Sequence, residues 1–126
     1  MGSASWQGNL VAVAYVPDQG HAIWLTFDPQ AGHEQAGRRP AVVLTPAAYN
    51  RKTGLALVCP VTNQVKGYPF EVLLPDGLPL SGVALSDQVK SADWRERRAK
   101  FICFLPAVTL ADITVKISAL LARTAK

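Results

Sequence analysis

The sequence predicts a mainly β protein that ends in an α-helix, and three observations lead to this prediction. Six short runs rich in β-branched and aromatic residues recur between turn residues, at the spacing typical of strands. The last stretch of the chain changes to a helical period. The length of 126 residues and the apolar fraction of 49% suit a single folded domain rather than a disordered chain.

Each of the six runs is a predicted strand, and they extend from Ala22 to Phe27, Ala41 to Thr45, Leu55 to Val61, Phe70 to Leu74, Gly82 to Val89 and Ala99 to Leu105. The first run is apolar at almost every position, so we expect a central strand that is covered on both faces. Pro29, Gly32 and Gly37 then break the chain into a long loop.

A helix is expected at the C-terminal end, where one helical face carries Leu110, Ile113, Ile117, Leu120 and Leu121. Thr109 is placed to cap this helix, with Asp112 three residues later. A short helical turn is also expected after Pro46. Five or six short strands and a terminal helix should form a small, mostly antiparallel barrel of the SH3-like kind, because closure hides the strand edges.

The charge is mildly basic, with a formal net charge of +4 and a sequence pI near 9.3. All thirteen Lys and Arg residues follow Gly37, which favours partners that carry phosphate, although solvated loop ends are the alternative. No run approaches the ~20 apolar residues that cross a bilayer, so we expect a soluble cytoplasmic protein. We expect one domain from residue 15 to 126, after an extension at residues 1–14 that is either flexible or a linker.

The residues that commonly hold metals or cofactors do not form the usual motifs. Cys59 and Cys103 lie far apart in apolar runs, which predicts buried thiols rather than zinc ligands or a nucleophile. The sequence has no P-loop, no dinucleotide fingerprint and no His-Glu-x-x-His motif. His21 and His33 are the only histidines, so a site with two histidines requires that both meet. No metal and no cofactor are predicted.

Three polar segments are candidates for chemistry. In the segment from Gly32 to Pro40, Glu34 can accept a proton from a hydroxyl, while an arginine can bind phosphate and stabilise charge that builds on phosphorus. A surface salt bridge is the alternative. The segments from Pro60 to Gly67 and from Ser86 to Ser91 offer hydroxyl, amide and ammonium groups at strand ends. Ordinary turn chemistry and a solvated strand face are their alternatives.

Several strings in order along the chain resemble the MazF/PemK family of toxins: Tyr15 to Asp18, Phe27 to Pro29, Glu34 to Leu44, Lys66 to Val72, Gly82 to Ser91, and Trp94-Arg95. The resemblance extends from about Tyr15 to the C-terminus. It implies a MazF/CcdB/PemK-like barrel that forms a homodimer, cleaves single-stranded RNA at short sequence motifs and is neutralised by a MazE-like antitoxin.

The resemblance also assigns residue roles. Glu34 matches the general base, Arg39 the general acid or phosphate-stabilising group, and Thr62 an active-site hydroxyl. The RNA groove is assigned to His33, Arg38, Asn63, Gln64, Lys66, Asp87, Gln88 and Lys90. The implied reaction is attack by the 2′-hydroxyl without a metal ion, which gives a 2′,3′-cyclic phosphate and a 5′-hydroxyl. Because a guanidinium is a poor acid, Arg39 suits charge stabilisation better than proton donation.

Two departures from the family pattern leave the base preference open. Asn63 stands where close relatives carry a second threonine, and the loop from Pro75 to Ser81 differs in length and composition. Two other functions also stay open. One is a toxin of the same fold that inhibits DNA gyrase, as the CcdB type does. The other is a non-catalytic nucleic-acid-binding module, which the basic clusters and Trp94 would suit.

Overall fold

The computed structural model describes residues 15–27 and 37–123. These residues form seven strands and two helices: β1 His21–Phe27, β2 Gly37–Val43, α1 Ala47–Thr53, β3 Leu55–Thr62, β4 Glu71–Leu73, β5 Val83–Leu85, β6 Lys90–Asp93, β7 Lys100–Phe104 and α2 Ala107–Leu121.

The strands pair antiparallel in the order β4-β5-β3-β2-β1-β7, and β6 also pairs with β3. Strand β3 is long enough to serve two neighbours on the same side. Its residues Leu55 to Val58 pair with β6, while Val61 and Thr62 pair with β5. As a result, β3 joins the two parts of the sheet.

A small barrel forms because the chain turns back after β6. The turn from Trp94 to Ala99 leads into β7, which pairs with β1, and the N–H of Thr26 donates to the carbonyl of Arg97 (2.8 Å). The interior contains a buried cluster of Ile23, Leu25, Ala41, Val43, Ala56, Val58, Ala92 and Trp94. These side chains come from alternate positions of β1, β2, β3 and β6, as the period of a strand requires.

The second buried cluster lies on the outer face of the same strands, beneath α2. It contains Ala22, Val42, Cys59, Val61, Val72, Leu74, Ala84, Leu105 and Ile113. Ala22 and its neighbour Ile23 point into different clusters, and β1 is a central strand between β2 and β7 as predicted. Trp24, on the same face as Ala22, is 38% exposed, so the predicted cover on both faces holds only at the start of β1. The predicted fold class, mainly β with a C-terminal helix, is confirmed. No helix in the described residues is long and apolar enough to span a membrane.

Three details of the sequence-based prediction are wrong. The predicted strand from Gly82 to Val89 ends at Leu85, because Ser86 is buried and bonds to the carbonyl of Phe70, and Gln88 N–H turns back to the carbonyl of Leu85. The following strand β6 was not predicted.

Strand β2 begins at Gly37 rather than at Ala41. Arg38 and Arg39 are therefore strand residues rather than loop residues. Pro40 is tolerated because β2 pairs only with β1 until Ala41, which makes its first residues resemble an edge strand.

Helix α2 begins at Ala107 after Pro106. Thr109 is therefore buried in its first turn instead of capping it.

Candidate functional site

One end of the barrel gathers several of the predicted site residues. Four residues continue the alternation of side chains that point into the barrel, one on each strand: Phe27 on β1, Arg39 on β2, Thr62 on β3 and Lys90 on β6. Arg97 reaches the same end from the turn after β6, through its contact with the Phe27 ring. We call this set of five residues the barrel mouth. Two of the three cations, Lys90 and Arg97, lie near the ring of Phe27.

Arg39 is partly buried, opposite Leu25 of β1. Its Nε is buried and has no hydrogen-bond partner among the described residues. The pairing of β2 with β3 ends at Ala41 and Pro60, and Arg39 and Thr62 each lie two residues beyond that pair, at the same end of the two strands. A buried guanidinium N–H without a partner can donate to an anion at little desolvation cost, because it has already lost water.

Thr62 is held where β3 and β5 pair. Its Oγ1 accepts the N–H of Gln64 (3.1 Å), and the residue itself lies opposite Val83. Gly82 has φ +109°, and a Cβ at that position would lie 2.2 Å from the carbonyl oxygen of Thr62. Only glycine permits this close approach. Sequence reasoning did not identify Gly82, although its position just before a strand is a common signal for such contacts.

The segment after β3 is exposed and is anchored at both ends. Asn63 Oδ1 accepts a hydrogen bond from Ser81 Oγ (3.1 Å). The carboxylate of Glu71 accepts the backbone N–H groups of Lys66 (3.0 Å) and Gly67 (2.9 Å). The side chains of Gln64 and Lys66 are thereby left on an exposed but fixed loop. Glu71 was also missed as a site residue by sequence reasoning; its position in β4 gave no signal of this role.

Lys90 lies at the start of β6, opposite Val58. Its Nζ is 4.9 Å from the centre of the Phe27 ring, within the range of a cation–π contact. Phe27 is the last residue of β1 and pairs with Gly37, the first residue of β2. The two ends of the β1–β2 connection therefore lie at the barrel mouth.

Two predicted residues lie apart from the mouth. Asp87 lines an apolar groove beneath the end of α2, together with Leu57, Ser86, Val89, Ile117, Leu120 and Leu121. Gln88 is exposed on the same β5–β6 turn. Within one chain the groove lies outside the barrel and away from the mouth. Leu57, which lines the groove, points away from the interior, because its neighbours Ala56 and Val58 point into the barrel.

Arg38 points to the opposite face of β2 from Arg39. Its guanidinium donates to Thr26 Oγ1 (2.8 Å) and to the carbonyls of Arg97 (3.4 Å) and Arg98. These bonds tie the β6–β7 turn to the ends of β1 and β2. Glu34 and His33 lie outside the described residues.

Trp94 and the two cysteines are structural. Trp94 is 3% exposed, and its Nε1 donates to the carbonyl of Asn50 (3.0 Å), so its ring is not available to stack on a base. Burial raises the pKa of the Cys59 thiol to about 12, and partial burial also raises the pKa of Cys103. The prediction of a buried thiol is confirmed for Cys59, whereas Cys103 is only partly buried. Residues 15–27 and 37–123 contain no group of three His, Cys, Asp or Glu residues that could hold a metal ion.

The sequence matches the family described as PemK-like, MazF-like toxin of type II toxin-antitoxin system, over residues 18–121. It is 62% identical over 85 residues to the endoribonuclease toxin MazF of Escherichia coli K12, covering 68% of this chain and 76% of that protein. It is 38% identical over 104 residues to the endoribonuclease PemK of Escherichia coli, covering 79% of this chain and 78% of that protein.

The fold is similar to a crystal structure of MazF from Deinococcus radiodurans, with a TM-score of 0.81 and 59% identity over 86% of this chain and 98% of that one. A crystal structure of MazE-MazF from the same organism gives a TM-score of 0.79 and 51% identity, covering 88% of this chain and all of that one. The chain therefore belongs to the family of PemK-like, MazF-like toxins of type II toxin–antitoxin systems and is a homologue of the endoribonuclease MazF.

Proposed function

We propose that the chain is a sequence-specific toxin that cleaves single-stranded mRNA in the cytoplasm without a metal ion. The observation that supports this most is the partly buried Arg39, whose Nε lacks a partner among the described residues and which lies, like Thr62, two residues beyond the last β2–β3 pair. A guanidinium and a hydroxyl in this arrangement suit the negative charge of a phosphorane.

In the proposed reaction the 2′-oxygen of the substrate attacks the adjacent phosphorus, and its proton passes to Glu34. The bond from phosphorus to the 5′-oxygen breaks, and that oxygen takes up a proton. The products are a 2′,3′-cyclic phosphate and a 5′-hydroxyl. Three peptide units join Glu34 to Gly37, a tether of at most about 11 Å, and Gly37 lies at the barrel mouth opposite Phe27.

The rest of the RNA site is proposed from the cations and amides around the mouth. Lys90 and Lys66 would bind phosphates, while Asn63 and Gln64 lie on a fixed loop from which they can contact base edges. The proposal also retains the RNA contacts that the sequence predicts for His33, Arg38, Asp87 and Gln88. Arg38 would act largely by holding the mouth together.

Two protein partners belong to the proposal. A MazE-like antitoxin is expected because a solved relative is a MazE-MazF complex. A second copy of this chain is expected on the apolar groove beneath α2, where Leu120 and Leu121 are 45% and 80% exposed. Dimerisation there would bring Asp87 of each chain to a shared interface.

The test uses an RNA that the wild-type protein cuts, with its cleavage site mapped from the 5′ ends of the fragments. We expect cleavage to persist in EDTA, and a single 2′-deoxy substitution at the cut site to block it while leaving binding nearly unchanged. The phosphates and base edges are all still present in that substrate. Magnesium-dependent cleavage, or cleavage of the deoxy strand at the rate of RNA, would contradict the mechanism. Binding without cleavage would instead support a non-catalytic module.

A further inference from the structure

We propose that the turn between β6 and β7 is a second RNA-contact site, which binds a phosphate outside the scissile linkage through Arg98 and Arg95. This inference rests on the proposed function, because it concerns the path of the same RNA strand. It adds a binding determinant that the catalytic groups do not include.

The turn is closed by its own backbone hydrogen bonds. The backbone N–H groups of Arg97, Arg98 and Ala99 donate to the carbonyls of Asp93 (2.9 Å), Arg95 (3.0 Å) and Trp94 (2.8 Å). The N–H of Glu96 donates to the Asp93 carboxylate (3.0 Å). A preorganised turn loses little conformational entropy when it binds, so its side chains are suited to recognition rather than only to connection.

The turn is also joined to the barrel mouth. The guanidinium of Arg97 donates to the carbonyl of Thr26 (3.2 Å) and lies 6.0 Å from the centre of the Phe27 ring, whose other neighbour is Lys90. Arg38 holds the turn from the other side, because its guanidinium donates to the carbonyls of Arg97 and Arg98. An RNA strand that leaves Arg39 toward β1 therefore reaches this turn next.

The backbone conformation of Arg98 is the strongest single observation for a binding role. Its φ is +57°, and it is the one residue other than glycine with positive φ in the described part of the chain. The six other positions with positive φ are all glycine, which adopts that conformation without a steric penalty. At Arg98 an exposed guanidinium occupies a position where glycine would be less strained. Strained residues that persist are concentrated at functional sites.

Arg95 supplies the second cation. Its guanidinium lies over the Trp94 ring, 4.7 Å from the ring centre, and Trp94 is itself fixed by its hydrogen bond to Asn50. A planar guanidinium in such a cation–π contact can also bind phosphate in a bidentate manner. Arg95 and Arg98 thus present two positive charges from one turn.

The decisive variant is Arg98→Gly, because it removes the charge and relieves the backbone strain at the same time. We expect its melting temperature to equal or exceed that of the wild type, while its affinity for a long RNA falls about fivefold. The slope of log K against log salt should become shallower by about 0.7, the value for one phosphate contact on a single strand. Stability and binding would then change independently.

The substrates are nested RNAs that share one mapped cleavage site and differ in the length of either flank. The loss in Arg98→Gly should grow with the flank on one side only. Arg98→Lys, which keeps the charge, should restore most of the affinity. Arg123→Gly, which removes an exposed charge beyond the end of α2, is the matched control and should bind every RNA normally.

The outcomes separate this inference from the proposed function. If the wild type cuts RNA and Arg98→Gly binds long and short RNA as the wild type does, with the same salt slope, the turn is not an RNA site. If Arg98→Gly weakens only the binding of an acidic antitoxin, the turn serves that partner and the inference is wrong. Failure of the wild type to cut any RNA would overturn the proposed function itself.

Discussion

At the scale of single residues, Arg39 differs from the other arginines near the mouth in the hydrogen bonding of its guanidinium. Arg38 donates to three oxygen atoms of neighbouring segments, and Arg97 donates to the carbonyl of Thr26. The Nε of Arg39 has no such bond among the described residues, although it is buried. A buried donor left without a partner is costly in the free protein. A substrate anion would remove that cost.

Arg39→Ala and Glu34→Gln should each lower the rate of RNA cleavage by at least ~100-fold, the loss typical of removing a charge-stabilising group or a positioned base. Arg51→Ala is the matched control, because Arg51 is exposed in α1 and lies at the other end of β3 from Thr62. Circular dichroism should show an unchanged fold in all three. Near-normal cleavage by both site variants would place the chemistry on other residues.

At the scale of secondary structure elements, the position of Thr62 depends on the packing of β5 against the end of β3. Gly82→Ala adds a methyl group 2.2 Å from the carbonyl oxygen of Thr62, so the two strands must separate. Gly77→Ala is a close control, since Gly77 has φ +93° but open space around its missing side chain. Both variants bear the cost of a left-handed alanine, roughly 1–2 kcal/mol.

The difference between these two variants therefore measures the contact itself. We expect Gly82→Ala to lose at least ~1 kcal/mol more than Gly77→Ala in the free energy of unfolding, and to cut RNA at least ~10-fold more slowly. Chemical denaturation and a cleavage assay would measure the two effects. Equal behaviour of the two alanine variants would mean that the Gly82 contact does not position Thr62.

Elements with a clear period were predictable, whereas those defined by tertiary pairing were not. The apolar period of α2 and the runs of β1 and β3 are local signals, and the structure confirms all three. Strand β6 looks polar in the sequence because Ala92 is its one apolar residue, so its pairing with β3 is what makes it a strand.

In the candidate site, too, local sequence signals were predictable and tertiary contacts were not. The motif that contains Arg39 could be recognised along the chain, but its relation to Thr62 depends on the register between β2 and β3. The role of Gly82 depends on its contact with Thr62, 20 residues earlier in the chain. The role of Glu71 depends on hydrogen bonds from the backbone of Lys66 and Gly67, and no sequence pattern specifies either contact. The role of Trp94 stayed open in the sequence for a related reason, since a tryptophan beside arginines suits either stacking on RNA or burial, and its contact with α1 shows that it is buried.

At the scale of the whole molecule, the barrel mouth and the groove beneath α2 have different chemistry. The barrel mouth is cationic, whereas the groove beneath α2 is apolar and lined by Leu57, Val89, Ile117, Leu120 and Leu121. Exposed apolar surface of this kind typically marks a protein interface. RNA and a second chain can therefore occupy different faces of one small domain.

Leu120→Asp should weaken self-association, because it places a carboxylate where the second chain would cover an apolar side chain. Loss of a central apolar contact costs about 2 kcal/mol, which corresponds to a ~30-fold higher dimer dissociation constant. Val115→Asp is the matched control: Val115 is 66% exposed on the same helix but does not line the groove.

Sedimentation velocity across a range of concentrations would measure the self-association of both variants, and circular dichroism would show whether each variant folds. Where Leu120→Asp is monomeric, RNA cleavage should fall with it, because the proposed RNA contacts of Asp87 and Gln88 lie at the shared interface and would no longer be supplied by both chains. A monomeric wild type, or a monomeric Leu120→Asp that cuts RNA at the full rate, would mean that a single barrel mouth suffices for the reaction.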